Sequence, residues 1–427
     1  MMTGENNGSF AIGEIQSPPA AQGAASRVDA SAGPAAVPVV GGVAIPSHVG
    51  GIDGLRGLAA FSIAIFHIFT GAGMPEFRPW GHVNLLRPMH DGWAAVNFFL
   101  VLSGFCLFWP YARQASRQCH YKGYLLNRIR RIVPAYYASL LIVPALYFGM
   151  HWFGINRGDS SETPNGWLDA VAHLLLMHSL IPDTFYSWNH VSWSLGLEWT
   201  WYLAFPLALW LFRRVGAGRG LLILIGITLA YRCGLYVIAG PAGGNANSGY
   251  TMWMRVLLPG RLAEFGVGMY VAAQLAKNYR GNADPFTGWL LGRPLVALGL
   301  CLTGMLAAHL LLPLDTYLPF RDMTYGLAFA FLLVAVADPC RGFIQRAFSG
   351  RLLDGLGQCS YSLFLLHMPI ANGVTGFFRL HGIDGPKNFL FSLIALPLMV
   401  LVARLSYRFI EAPFLKRAQI RHVAAAT

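Results

Sequence analysis

"GIDGLRGLAAFSIAIFHIF", residues 51–69, decides the fold. It reads as the opening of a bilayer-spanning helix, a structure that needs roughly 17 to 25 apolar residues, yet it carries Arg56 near its start and His67 near its middle. Eleven positions at ~100° per residue make three turns plus ~20°, so both side chains leave nearly one face, roughly 16 Å apart along the axis. Arg56 would stand at the membrane's edge and His67 near its midplane. One reading has Arg56 snorkelling to the interface and His67 making a single interhelical hydrogen bond. The other takes the pair as part of a site, because an ionisable group in the bilayer costs at least about 2.5 kcal/mol and has to be compensated.

The rest of the chain extends this pattern. Of 427 residues 55% are hydrophobic and only 12% charged, with a mean hydropathy of +0.48, where a soluble domain carries about a quarter charged residues. The composition predicts an all-α, polytopic membrane bundle. Basic residues outnumber acidic ones 31 to 19, and the excess sits in short links between apolar runs. That suits the positive-inside rule and excludes a nucleic-acid partner, since no basic block stands on a soluble domain. Of the six cysteines, Cys106, Cys233, Cys301 and Cys359 lie in apolar runs and Cys119 and Cys340 in basic links. Neither zinc nor disulfide spacing is present, so no metal is expected and the cysteines read as packing residues.

Residues 1–46 are rich in Ala, Pro, Gly and Ser and read as a disordered leader without a signal-peptide pattern. The membrane domain is expected over 47–417, with a short tail at 418–427. Ten spans are predicted, near 54–73, 93–111, 132–153, 193–212, 220–240, 253–276, 289–312, 322–338, 356–379 and 389–410. An eleventh run, "LDAVAHLLLMHSLI" at 168–181, is too short to cross and predicts a re-entrant or interfacial segment. Left uncrossed, it puts the links holding Arg113, Arg117, Lys122, Arg128, Arg130 and Arg131, then Arg213, Arg214 and Arg219, then Lys277 and Arg280, then Arg341, Arg346 and Arg351, and the tail with Lys416, Arg417 and Arg421, on one side. Both termini are then cytoplasmic in a bacterial inner membrane. No hydrophilic stretch is long enough for a second folded domain, so chemistry is expected inside the bundle.

Further polar residues share helix faces. "LLNRIRRIVPAYY" sets Arg128 and Arg131 one turn apart, as a topology anchor or as a pair of guanidinium forks for a phosphorylated ligand. "NHVSWSLGLEWTWYLAFPL" sets Ser194 and Glu198 on one face just under the outer surface, where a carboxylate needs a partner or a wet cavity. Ser360 and His367, seven apart in "LGQCSYSLFLLHMPI", also share a face. Arg261 with Glu264 and Arg408 with Glu411, both at i, i+3, read as structural ion pairs at helix ends.

Taken in order, "IDGLRGLAAFSIAIFH", "NFFLVLSGF", "NRIRRIVPAYY", "WSLGLEWTWY", "GRLAEFGVGM", "LGQCSYSLFLLHMPI" and "LSYRFIEAPF" resemble the signatures of acyltransferase family 3, the bacterial integral-membrane O-acyltransferases, over residues 51 to about 417. The resemblance implies transfer of an acyl group, usually acetyl, from cytoplasmic acyl-coenzyme A to a carbohydrate hydroxyl. The family's Arg and His of the first span match Arg56 and His67, its Arg-x-x-Arg matches Arg128 and Arg131, and its Ser and Glu match Ser194 and Glu198. Two departures stand out: Asn97 replaces the family's frequent Asp before "VLSGF", so any part in orienting the histidine falls to a neutral group, and Trp199 and Thr200 follow Glu198 where a Gln or similar polar residue is usual. Some relatives carry an appended esterase-like domain, for which this chain leaves no room.

On this reading Arg56, Arg128 and Arg131 hold the phosphates of acetyl-coenzyme A, His67 is general base or acyl carrier, and Glu198 orients the acceptor from the outer side, with Asn97, Ser194 and His367 in support. Aromatics of the outer links, such as Trp80, Trp152, Trp167 and Trp188, are candidates for stacking on sugar rings or for the interfacial belt. The competing reading is a transporter or flippase using His67 and Glu198 as proton-relay or substrate-binding groups, disfavoured by the lack of a clear inverted repeat. A glycan polymerase fed by a lipid-linked sugar is a third.

Overall fold

The computed structural model describes residues 45–82, 84–155, 166–239, 253, 256–311, 314–337 and 342–415. The predicted leader, the tail, most of the links at 154–167 and 241–252, and Cys340 and Arg341 lie outside them. Among the described residues there is no strand. The helices are α1 (Ile52–Gly71), α2 (Ala95–Arg113), α3 (Tyr121–Trp152), α4 (Gly166–Leu174), α5 (Trp193–Val215), α6 (Ala217–Ala239), α7 (Leu262–Asn278), α8 (Pro285–Leu291), α9 (Pro294–Leu311), α10 (Leu314–Val336), α11 (Phe343–Phe348), α12 (Arg351–Gln358), α13 (Ser360–Leu380), α14 (Gly385–Ser392) and α15 (Ala395–Ser406).

The polarity of the bundle is that of a membrane protein. Large apolar side chains such as Leu141, Phe148, Leu207 and Val237 face outward, where water would penalise them and hydrocarbon does not. Polar and ionised residues are turned inward. Among the described residues seven helices are long and apolar enough to cross a membrane, and an eighth is obtained if α8 and α9, bent by 106° at their junction, make one span. This is fewer than the ten read from hydropathy. The two other predicted spans, 253–276 and 322–338, fall on α7, which has only 17 residues, and on α10. The run at 168–181 forms the nine-residue α4 followed by single-turn 3₁₀ helices. At 1.5 Å per residue α4 covers ~13 Å, under half of a ~30 Å hydrocarbon core.

Small residues let the central helices touch backbone to backbone. A Cβ on Gly104 of α2 would stand 2.0 Å from Phe265 O, and one on Gly268 of α7 1.9 Å from Val101 O. Without a hydrophobic drive between helices in lipid, such close contact is what holds them. In α13, Pro369 cannot donate to the carbonyl four residues back, which leaves Leu365 O free; Asn189 Nδ2 fills the vacancy at 3.0 Å and ties the segment before α5 to α13. The basic links assigned to one side by charge do meet at one end: Arg213 donates to the carbonyls of Ala115 and Arg117, and Arg280 to those of Ala112 and Arg113.

Candidate active site

Helices α1, α2, α3, α5 and α13 enclose a narrow cavity of about 90 Å³ that gathers Arg56, Arg128, Arg131, Ser194, Glu198 and Ser360. Three guanidiniums against one carboxylate leave its lining at net +2. Arg56 is held weakly by Asp53, one turn back, at 3.4 Å. Arg128 lies over the rings of Tyr124 and Tyr202, 5.6 and 5.7 Å from their centroids, and its buried Nε has no hydrogen-bond partner among the described residues. An arginine packed on two aromatic faces is fixed in place while its N–H groups stay available, which is what anion binding requires.

Glu198 sits across the same cavity. Its Oε1 accepts from Ser103 Oγ and from Tyr202 OH, each at 2.5 Å, and its Oε2 has no hydrogen bond among the described residues. Tyr202 stands one helical turn beyond Glu198, a spacing that sequence reading passed over in favour of Ser194. Ser103 lies within the "VLSGF" stretch, but nothing in the sequence points it at α5. Glu198 and Ser194 were expected on the outer side of His67; instead they share a chamber with the arginines. Ser194 donates only to Val191 O, at 3.4 Å.

His67 faces a second cavity, of about 230 Å³, shared with Tyr186, His190, Trp193 and Trp93. Val96 and Phe364 line both cavities, so these two side chains form the partition between the arginines and the histidine. His67 packs edge-on to Phe66, with ring centroids 5.1 Å apart. Its Nδ1 lies 2.9 Å from His367 Nε2 and 3.1 Å from Ile63 O, while Nε2 has no partner among the described residues. The structure thus joins His67 to His367, from the far end of the sequence. The helix face shared by Ser360 and His367 runs along both chambers.

Asn97 is placed elsewhere. Rather than orienting the histidine, it accepts from Arg261 Nη1 at 2.9 Å and donates to Asp322 O at 3.3 Å. It is part of a buried cluster in which Arg261 pairs with Glu264 at 2.8 Å and Asp322 at 3.2 Å, and Arg232 with the same two acids at 3.3 and 3.4 Å. Two guanidiniums and two carboxylates sum to zero, so a neutral Asn completes the cluster where an Asp would leave it at −1. The Arg261–Glu264 pair is therefore structural, as its spacing suggested. The Arg408–Glu411 pair is not formed: a π-helical turn over Tyr407–Glu411 breaks the register, Glu411 accepts from Ser362 Oγ, and exposed Arg408 lies over Phe409.

A third polar group escaped the sequence reading. Ser187 Oγ donates to Asp169 Oδ1 at 2.6 Å, His173 Nε2 lies 3.0 Å from that Oγ, and Tyr136 OH meets His173 Nδ1 at 2.9 Å and His178 Nδ1 at 3.3 Å. The trio Ser, His and Asp is present without the roles of a nucleophilic triad, since the serine proton is committed to the acid and the residues are at most 3% exposed. It pins α4 and the following turns onto α3.

The geometry so far is an arginine-lined slot beside a histidine whose Nε2 has no partner among the described residues, inside a bundle of apolar helices. The acyltransferase 3 family, described as an acyltransferase domain, matches residues 49–408. The chain belongs to this family. It is 26% identical over 330 residues to the acyltransferase MdmB of Streptomyces mycarofaciens, an alignment covering 75% of this chain and 78% of that protein. It is 25% identical over 395 residues to the peptidoglycan O-acetyltransferase OatA of Listeria monocytogenes, covering 88% of this chain but 57% of OatA. With a putative acetyltransferase of Acidianus two-tailed virus the identity is 28% over 191 residues, 44% of this chain and 48% of that one. No solved structure matches. The acyltransferase 3 membership makes this chain a multi-pass membrane acyltransferase.

Proposed function

We propose that this acyltransferase 3 member carries an acyl group, acetyl in the simplest case, from cytoplasmic acyl-coenzyme A to a hydroxyl of a carbohydrate at the outer side of the bacterial inner membrane. The observation that carries the reading is the pair of chambers divided by Val96 and Phe364, with Arg56, Arg128 and Arg131 in one and His67 Nε2 in the other. A slot of about 90 Å³ takes an extended chain and not a nucleotide. The nucleotide phosphates stay at the arginine mouth, and the pantetheine arm threads inward. The roughly 16 Å between Arg56 and His67 along α1 matches such an arm. Glu198, with Oε2 open, accepts from an amide N–H of the arm, which moves its role from the acceptor side to the donor side.

At the partition His67 Nε2 takes the proton of the acceptor hydroxyl as its oxygen attacks the thioester carbonyl. The C–S bond breaks, the new ester C–O bond is complete, and the imidazolium returns its proton to the departing thiolate. Tyr186, Trp193 and Trp93 give the histidine chamber the aromatic walls on which a sugar ring stacks. The name of OatA, a peptidoglycan O-acetyltransferase, supports a carbohydrate acceptor. The basic links gathered at one end support a cytoplasmic placement of that end and of both termini.

Purified protein given radiolabelled acetyl-coenzyme A should release coenzyme A faster when a soluble glycan is added, with label recovered as base-labile ester on the glycan. Passage of glycan across vesicles without any consumption of acyl-coenzyme A would instead establish the transport reading.

A further inference from the structure

We infer that His367 is a positioning residue that fixes which nitrogen of His67 bears the hydrogen, and so presents a lone pair to the reacting groups. The inference rests on the proposed role of His67 and adds the residue that sets its state.

The argument follows the hydrogens. A neutral imidazole has one N–H, and its site is set by the partners of the two nitrogens. His367 Nδ1 lies 3.0 Å from Leu363 O. A carbonyl oxygen only accepts, so His367 bears its hydrogen on Nδ1 and its Nε2 is a lone pair. That Nε2 lies 2.9 Å from His67 Nδ1, so His67 Nδ1 must donate. Ile63 O, 3.1 Å away, is also an acceptor and demands the same. With its hydrogen on Nδ1, His67 has Nε2 unprotonated, and that is the nitrogen without a partner among the described residues. The backbone of α13 thus dictates, through two rings, the reactive form of a side chain on α1.

His367 is fully buried, whereas His67 is partly open to its cavity. His367 therefore acts only through its partner. The rings are tilted by 48° with centroids 4.9 Å apart, a hydrogen-bonding approach and not a stack. Ile63 O alone is the weaker guide, because in a helix it already accepts the amide of its own ladder.

The test compares wild type, His367→Leu, His367→Gln and His67→Ala, measuring kcat, acetyl-coenzyme A binding and the ¹⁵N shifts of labelled histidine, with the His67 signals assigned by their absence in His67→Ala. Wild type should show His67 with Nδ1 protonated and Nε2 bare. His367→Leu should lower kcat by about 10–100-fold, the range for residues that orient a working histidine through its other nitrogen, leave donor binding unchanged, and raise the fraction of His67 protonated on Nε2. His367→Gln, whose amide oxygen can accept from His67 Nδ1, should stay within a few-fold of wild type. Equal loss in the Leu and Gln variants would make the role one of packing and overturn the inference. So would the opposite tautomer in wild type, a measurement that stands even if His367→Leu does not fold. Turnover surviving in His67→Ala removes His67 from the chemistry whatever the His367 variants do. Turnover lost there but intact in His367→Leu, with the tautomer unchanged, removes only His367.

Discussion

Arg232, Arg261, Glu264 and Asp322 lie in the same bundle as Arg56, Arg128, Arg131 and Glu198, and both sets place charged side chains inside it. The first set is closed. Its charges sum to zero within a cluster at most 1% exposed, and Asn97 joins it as a neutral partner. The second set is open, with a surplus of positive charge along a cavity. A buried charge in a membrane is thus ambiguous by itself. What separates support from chemistry is whether its charge is balanced by buried neighbours or left as a surplus along a cavity.

The contrast can be broken by substitution. Arg261→Met leaves two buried carboxylates facing one guanidinium and should cost about 3–5 kcal/mol, read as a fall in the unfolding temperature in detergent. Adding Glu264→Leu restores neutrality around Arg232 and Asp322 and should recover much of the loss. If Arg261→Met is as stable as wild type, the cluster is not closed in the way described. Tyr202→Phe removes one of the two donors to Glu198 Oε1 and leaves Ser103 Oγ in place, and should weaken acyl-coenzyme A turnover while lowering the unfolding temperature less than Arg261→Met does. A variant that is destabilised but fully active would place Glu198 with the structural set.

A milder effect distinguishes the Asp169, His173 and Ser187 group, which lies outside the spanning helices. Burial pushes His173 down to about 4 and His178 to about 3. Their folded forms therefore bind protons less readily than the unfolded chain, whose histidines titrate near 6.5. The stability they contribute is complete above about pH 6.5 and is lost as pH falls from there through about 4 and about 3, with a slope of order 1 kcal/mol per pH unit for each. Protection of the α4 amides, taken relative to the intrinsic exchange rate at each pH, should fall across that window before protection in α3 does. Equal α4 protection at pH 7 and pH 4.5 would contradict the assignment.

How much of this was legible in the sequence follows from the same distinction. The apolar runs gave the helical bundle, and the i, i+3, i+4 and eleven-residue spacings gave the arginines, Glu198 and His67, because those relations are local to one helix. The short run at 168–181 was rightly kept from crossing, since length alone limits it. Hydropathy alone does not show that Arg321 and Asp322 of α10 are turned inward. Every relation between helices was out of reach: His67 with His367, 300 positions away, Ser103 with Glu198, and Asn97 with Arg261. Arg408 and Glu411 show the converse, a good spacing undone by one π-helical turn.

The central claim is that the arginine chamber binds the acyl donor and the histidine chamber turns it over. Binding and hydrolysis of radiolabelled acetyl-coenzyme A, measured side by side on purified wild type, Arg128→Ala with Arg131→Ala, and His67→Ala, test it most directly. The arginine variant should bind at least about 10-fold more weakly, as expected when two charge-assisted contacts are lost. His67→Ala should bind as wild type does, with turnover down about 10²–10⁴-fold. Undiminished binding in the arginine variant, or undiminished turnover in His67→Ala, would contradict the account.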